Sequence, residues 1–396
     1  MSATIFKNDL SLSVTKHMKI AFICHDANLT GAPKLGFDVA NYMSRNNEVV
    51  MIVKKDGPLL RFPEYKSAFS NILNVNTSHE VAHLTLSQRL AIARDIIREE
   101  KPDLLYVNSV ASSDWCAAGK ECNIPVVLHS HEMRNELLSL ESINIFKRDL
   151  PRYVDLLITV SDAAEADIIE QCSLPFKRIF SSKAGVNFQK IGELANVRDF
   201  EQPKNIFDQK LQNDKPLISM CGIASKRKGS DIFFQVAKHL GQFNFLWIGP
   251  WNSGEAFGNI ALNDYRKNTI ENFYTTNETH NPYPYFKLTD LFVLTSREDP
   301  NPLVVMEAIF LSKLCMGFSN TGGSKHLLNR FGVLLQGEIT VERLTSIIKK
   351  ILQDPLTEFI SEERKRSFSE EYDIESIART IEMEISSLVK NPITPA

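Results

Sequence analysis

The chain has 396 residues, of which 43% are hydrophobic and 23% charged, and its formal net charge is −3. That apolar content excludes a disordered chain, and at roughly 150 residues per domain the length suggests two to three domains. The near-neutral balance excludes a whole-chain drive toward nucleic acid.

Six cysteines stand at 24, 116, 122, 172, 221 and 315. None form a C-x-x-C pair and none lie with histidines at zinc spacing, so they read as free thiols in a reducing cytoplasm. No apolar run reaches ~18 residues, the length a membrane span needs. Residues 1–17 lack a signal-type apolar core and read as a disordered leader.

Lys19–Cys24 is a short apolar run and predicts a buried strand. The apolar spacing at 35, 39, 40 and 43 predicts a helix over 34–44. Val49–Val53 predicts a strand, Leu86–Ile97 a helix, Leu104–Val107 a strand, and Trp115–Ala118 a short helix. Val126–Leu128 and Leu156–Val160 predict further strands, and Ser161 caps a helix over 163–172. Met133–Tyr153 mixes Leu137, Leu138, Ile143, Ile145 and Phe146 with Lys147, Arg148 and Arg152. It reads either as a membrane-surface helix or as an ordinary buried one.

The polar stretch 191–214 lacks a clean period and reads as a linker. The alternation then restarts with strands at Leu217–Cys221, Phe243–Ile248, Leu291–Thr295 and Leu314–Gly317. Helices are expected before Leu240, at 302–311 and at 344–352. A last helix from Ile374 aligns Ile374, Ile377, Ile381, Ile385 and Leu388 on one stripe. The order predicts two doubly wound α/β units, 18–190 and 215–372, with 373–396 as a final helix and tail. Ligands of such sheets bind beyond the carboxyl ends of the strands.

Four strand-to-helix corners can carry chemistry. In Leu29-Thr-Gly-Ala-Pro33, Gly31 permits close backbone approach and Pro33 suits a helix start, although a plain tight turn reads the same way. His129-Ser-His-Glu132 ends a strand and offers a base, a ligand pair or a satisfied polar cluster. Lys226-Arg227-Lys228-Gly229 follows a strand and suits a phosphate, against the alternative of a solvated basic loop. In Ser296-Arg-Glu-Asp-Pro-Asn-Pro302-Leu-Val-Val-Met-Glu307-Ala308, Pro302 opens a helix whose free first amides suit a diphosphate. Glu307 inside that helix can accept both hydroxyls of a ribose; the plainer reading is a charged turn and a surface Glu.

This last segment resembles the signature of retaining glycosyltransferases of family 4, which have the GT-B fold. Its usual form is Glu, seven residues, Glu, Ala. Here Asp299 lies eight positions before Glu307, and Glu298 nine. The other corners follow in the family's order: Thr30-Gly31 for the N-terminal glycine loop, His131 for the active-site histidine, and Ser161 for a conserved-type "VS" turn. Gly185-Val186-Asn187, Lys228-Gly229 and Gly322-Gly323 continue it, so that the resemblance spans Met18 to about Val389. There are departures. The family's Arg after the first glycine of the C-terminal domain falls on Ile223, and the acid after Gly-Gly appears as His326.

The resemblance implies sugar transfer from a nucleotide-diphosphate sugar with retention at the anomeric carbon. In that scheme Glu307 holds the ribose. Lys228, helped by Arg227, neutralises the diphosphate with the amides around Pro302, Leu303 and Val304. Gly31 lets the N-terminal loop close, His131 contacts the donor sugar, and Asp299 or Glu298 faces the sugar hydroxyls. The chain contains no D-x-D, the pattern that holds a divalent ion in the other large transferase fold, so no metal or other cofactor is expected. The expected acceptor is a saccharide or lipid-linked saccharide in cell-surface polysaccharide (lipopolysaccharide or capsule) synthesis. That implies a cytoplasmic protein with peripheral contact at the inner membrane face and no nucleic-acid partner. Against the membrane contact, Met18–Lys190 carries 20 Lys and Arg against 21 Asp and Glu. Two other readings are a GT-B nucleotide-sugar epimerase and a degenerate, non-catalytic transferase subunit. A dinucleotide-binding dehydrogenase would need G-x-G-x-x-G, which is absent.

Overall fold

The computed structural model describes residues 18–78, 83–197, 214–251, 270–276, 278–353 and 362–390. The expected leader at 1–17, residues 198–213 of the expected linker, and the tail from 391 lie outside the described residues.

The first half runs β1 (Lys19–Cys24), α1 (Gly31–Met43), β2 (Glu48–Val53), α2 (Pro63–Ala68), β3 (Asn71–Asn74), α3 (Leu86–Glu100) and β4 (Leu104–Asn108). It continues with α4 (Asp114–Glu121), β5 (Val126–Ser130), α5 (Arg134–Ser142), β6 (Leu156–Thr159), α6 (Asp162–Gln171), β7 (Ile179–Ser181) and α7 (Phe188–Ala195). The second half runs β8 (Leu217–Cys221), α8 (Ser230–His239), β9 (Asn244–Ile248), β10 (Phe273–Thr275), α9 (Tyr283–Leu288), β11 (Leu291–Val293) and α10 (Leu303–Phe310). It ends with β12 (Leu314–Phe318), α11 (Ser324–Phe331), β13 (Val333–Leu335), α12 (Val341–Gln353), α13 (Glu362–Tyr372) and α14 (Ile374–Lys390).

Each half is one parallel sheet, ordered β3-β2-β1-β4-β5-β6-β7 and β10-β9-β8-β11-β12-β13. The central strands are mostly apolar and almost wholly buried, as parallel strands under crossover helices must be. These are the two doubly wound halves of the GT-B fold. Both sheets reverse strand order beside their first strand, and the crevice at such a reversal is where a ligand sits.

The halves meet directly. The Phe188 ring of α7 stacks on Phe310 of α10 at 4.5 Å between centroids. The helix α7 therefore occupies residues 188–195, part of the stretch read as linker. Asn187 caps it, accepting from the Lys190 amide. The chain returns to the first half through α14, which packs along α1 with Ile377, Ala378, Ile381 and Ile385 buried. Polar contacts flank that seam, Arg45 to Glu375 at 2.6 Å and Asn47 to Glu382 at 2.7 Å.

The stretch 133–153 is a short helix rather than one continuous element. The helix α5 stops at Ser142, and Asn144 turns the chain with a positive φ of 60°. Leu137, Ile145 and Phe146 are in the core, while Leu138 and Ile143 are exposed. No helix among the described residues is long and apolar enough to cross a membrane.

Candidate active site

The carboxyl ends of β1, β4 and β5 gather the polar groups of the first half. Burial pushes His129 down to about 3, and its Nδ1 sits 2.7 Å from the Tyr106 hydroxyl. His131 follows one residue after β5. Its Nε2 pairs with Asn108 Oδ1 at 2.8 Å, and its ring lies 4.3 Å from that of His129. Burial, then the neighbouring His129 and His25, hold His131 well below the ordinary histidine range. The imidazole is therefore neutral. The Asn108 amide also donates to the Ala32 carbonyl at 3.0 Å, tying His131 to the start of α1. Glu132 is used internally, by Ser109, the Val110 amide, Ser130 and the His131 amide.

On the facing side, β8 ends at Cys221 and a loop leads to Lys228 and α8. Gly229, the residue before α8, has φ 69°, and a Cβ there would lie 2.0 Å from the Thr295 carbonyl oxygen. Only glycine fits, and this fixes the Lys228 loop against the end of β11. Lys228 Nζ contacts Asp299 Oδ2 at 2.6 Å, and Ser296 donates to the same oxygen at 3.1 Å. Arg227 donates to the Glu298 carbonyl at 3.0 Å, which braces the acidic loop. Asp299 is set by a parallel bridge to Gly322, and its carbonyl accepts from the Gly323 amide at 3.0 Å.

The two acids at 298 and 299 point different ways. Asp299 turns to Lys228 in its own half. Glu298 reaches across to the first half and accepts from the Asn135 backbone and side-chain amides at the start of α5. Nearby, the confined position of Glu136 and the Glu132 carboxylate raise the Glu136 carboxyl above its usual range. Glu298 adds repulsion, while Arg227 and His25 oppose it. The first half's His/Glu corner thus sits within electrostatic reach of Arg227 and Glu298.

Pro302 precedes α10, and Leu303 and Val304 open it, so their amides have no intrahelical acceptor. A Cβ on Gly31 would lie 3.8 Å from Leu303 Cδ1, so the two expected donor-binding corners touch across the halves. Glu307, one turn into α10, is 4% exposed. Its Oε1 receives Lys34 Nζ from α1 at 2.5 Å and the Tyr283 hydroxyl at 3.2 Å. Burial alone would lower Lys34, but Glu307, Tyr283 and Asp38 together hold the ammonium well above its ordinary range. Cys221 shares this environment. Burial and then Glu307 push its thiol up, while Lys228 and Lys34 pull it down.

The structure therefore brings Gly31, Leu303, Val304, Lys228, Asp299 and Glu307 to one region, with Glu298 and Arg227 at its rim. His131 bonds within its own half. Sequence reasoning missed Lys34 and Tyr283. Lys34 carries a signal of its own: a lysine at the fourth residue of a helix works against the macrodipole, so some other partner must hold it there. Ile223, at the position of the family arginine, is 46% exposed. His326 faces Glu371 at 3.4 Å and lines an inter-half groove of 870 Å³ with Ser161, Lys183 and Gly323.

Two family models match along the chain: "Glycosyltransferase Family 4" over residues 31–190 and "Glycosyl transferases group 1" over 201–379. A Haemophilus influenzae protein described as an uncharacterized glycosyltransferase is 22% identical over 369 residues, 90% of this chain and 96% of that one. The crystal structure of Anabaena Alr3699/HepE in complex with UDP-glucose superposes with a TM-score of 0.74 at 19% identity, covering 94% of this chain and all of that one. Sucrose-phosphate synthase of Thermosynechococcus elongatus gives 0.73 at 14% identity, again over 94% of this chain and all of that one. The chain belongs to the family 4-type glycosyltransferases of GT-B fold.

Proposed function

We propose that this glycosyltransferase moves a hexose from a nucleotide-diphosphate sugar, with retention and without a metal ion, to a saccharide or lipid-linked saccharide of a cell-surface polysaccharide. The observation that carries the donor assignment is the meeting of Gly31 with the first turn of α10, beside Lys228 and Glu307. A helix start and a fixed cation are what a diphosphate requires, and a carboxylate one turn further on suits a ribose. The UDP-glucose complex of the Anabaena neighbour supports the same donor class.

In this reading Lys228 leaves Asp299 for the diphosphate, whose charge grows as the sugar departs, and the Leu303 and Val304 amides add to it. These groups supply the charge a metal would otherwise supply. Asp299, released from Lys228, accepts from the sugar hydroxyls, and Glu298 holds the closed halves through Asn135. Neutral His131 presents a polar edge to the donor sugar without competing for a proton. The acceptor is assigned from the family resemblance, and the exposed Leu138 and Ile143 beside Lys147 and Arg148 are the surface for peripheral membrane contact.

The test is to incubate purified protein with UDP-, GDP- and dTDP-hexoses, with and without a chelator, and to follow donor loss and the anomeric configuration of product. Donor consumption that survives chelation and gives a retained anomer is the expected result. Strict metal dependence or inversion would remove the corresponding part of the proposal. Exposed Ile223 favours a second reading, a degenerate subunit. That reading holds if the protein binds a donor but neither transfers nor hydrolyses it.

A further inference from the structure

Glu307 sits in a helix of sequence LVVMEAIF, with apolar neighbours on both sides. A charge buried there is costly unless an opposite charge pairs with it. Among the described residues, its own half supplies it with the Tyr283 hydroxyl and no cation. The cation comes from α1 of the other half. Lys34 Nζ lies 2.5 Å from Glu307 Oε1 and also donates to the Tyr283 hydroxyl at 3.1 Å. Tyr283 in turn donates to the same Oε1 at 3.2 Å. Both contacts load one oxygen, and no described residue hydrogen-bonds Oε2.

We infer that Lys34 is a positioning residue for the donor site. It crosses between the halves to fix the Glu307 carboxylate through Oε1 and leaves Oε2 to accept from the nucleotide's ribose. This deepens, and rests on, the reading of Glu307 as the ribose-binding acid. Its consequence is that the grip on the nucleoside is assembled only when α1 closes on α10. Donor affinity and domain closure are then one equilibrium, written through a single ion pair. The same closure brings Gly31 against Leu303, three residues before Lys34 in one helix and four before Glu307 in the other.

The test titrates full-length protein with whichever of UDP-glucose, GDP-mannose and dTDP-glucose gives the largest thermal shift, reading Kd by calorimetry. Lys34→Ala should weaken binding by at least about tenfold, the scale of truncating one partner of a buried charge pair, with KM rising more than kcat falls. Lys34→Arg should recover most of it. In the double variant Lys34→Ala/Glu307→Gln the second change should add little to the first, because Lys34 acts through Glu307. Circular dichroism establishes that each variant is folded, and Lys34→Gln replaces any that is not.

Unchanged or tighter binding in Lys34→Ala, with Glu307→Ala strongly weakened, overturns this inference alone; tighter binding would make the pair a latch against the donor. If Glu307→Ala also binds normally, the ribose assignment itself fails, and the two failures are thereby distinguished.

Discussion

Lys228 Nζ and Asp299 Oδ2 lie 2.6 Å apart, on two loops held together by the glycine that precedes α8. The pair is nearly buried, with side-chain exposures of 16% and 5%. It stores a cation and a carboxylate beside the start of α10. A donor diphosphate would take the first, and the sugar hydroxyls the second. Lys228→Ala should lower kcat by about a hundredfold, the usual cost of one charge-stabilising donor at a leaving group. Steady-state kinetics with the natural donor checks this. A loss confined to KM would instead make Lys228 a binding residue only.

The two adjacent acids can be separated in the same way. Glu298 accepts from Asn135 across the halves, so Glu298→Gln keeps the side chain's shape and one acceptor for those amides. Asp299→Asn removes the charge that faces Lys228. Asp299→Asn should therefore reduce kcat by roughly tenfold or more beyond Glu298→Gln, since only the former alters a charge-assisted bond at the donor site. Equal losses would mean that the halves' closure through Asn135 matters as much as the sugar contact.

How much of this was legible in the sequence depends on where an element sits in its sheet. The strands at 19–24, 104–108, 126–130 and 217–221 were readable because central parallel strands are built around short apolar runs. The strands at 71–74, 179–181, 273–275 and 333–335 were not, and they are the four edge strands of the two sheets. Asn71-Ile-Leu-Asn74 and Ile179-Phe-Ser181 are short and half-exposed, so neither length nor period marks them. The site divides similarly. Lys228 and Gly31 stood beside a glycine or proline after a strand, and Glu307 stood at its spacing from the acids at 298 and 299. Tyr283 stood in a short helix of ordinary aromatic character, and its role comes only from the fold bringing it to Glu307.

The histidine pair makes stability depend on pH. His129 is fully buried and pushed down to about 3, and His131 is lowered as well. Their unfolded-state values are near 6.5, so as pH falls through 6.5 the unfolded chain takes up protons that the folded chain refuses. Stability is fully present above 6.5 and is lost below it, by up to about 1.4 kcal/mol per pH unit per histidine. Urea unfolding at pH 7, 6 and 5 should show this decline. His129→Gln should make it shallower, and an unchanged slope would place the acid sensitivity elsewhere.

Gly229 tests whether the Lys228 loop needs its present path. Its φ of 69° and the 2.0 Å approach to the Thr295 carbonyl leave no room for a methyl group. Gly229→Ala must either move the loop or strain it, at about 3 kcal/mol. Since Thr295 Oγ1 also donates to the Lys228 carbonyl at 3.0 Å, the displacement would carry Lys228 with it. The expected result is a lower melting temperature together with a raised KM for donor. A stability loss without a kinetic one would show that the loop recovers its position.

The return helix α14 makes the last case, because it lies far in sequence from the chemistry yet supports α1. Ile381 and Ile385 are fully buried in α14, which packs on that helix. Ile381→Ala should cost about 3 kcal/mol through lost burial and the cavity left behind. Its second effect follows from what α1 carries. Gly31 and Lys34 are in the first turn of α1, and both contact α10. A loosened α1 should meet α10 less often in the closed geometry, so the variant should raise donor KM by roughly threefold to tenfold at temperatures where it is fully folded. Kinetics at 15 °C, well below its melting temperature, separates the two effects. An unaltered KM there would show that α14 supports the fold of the first half without setting its closure on the second.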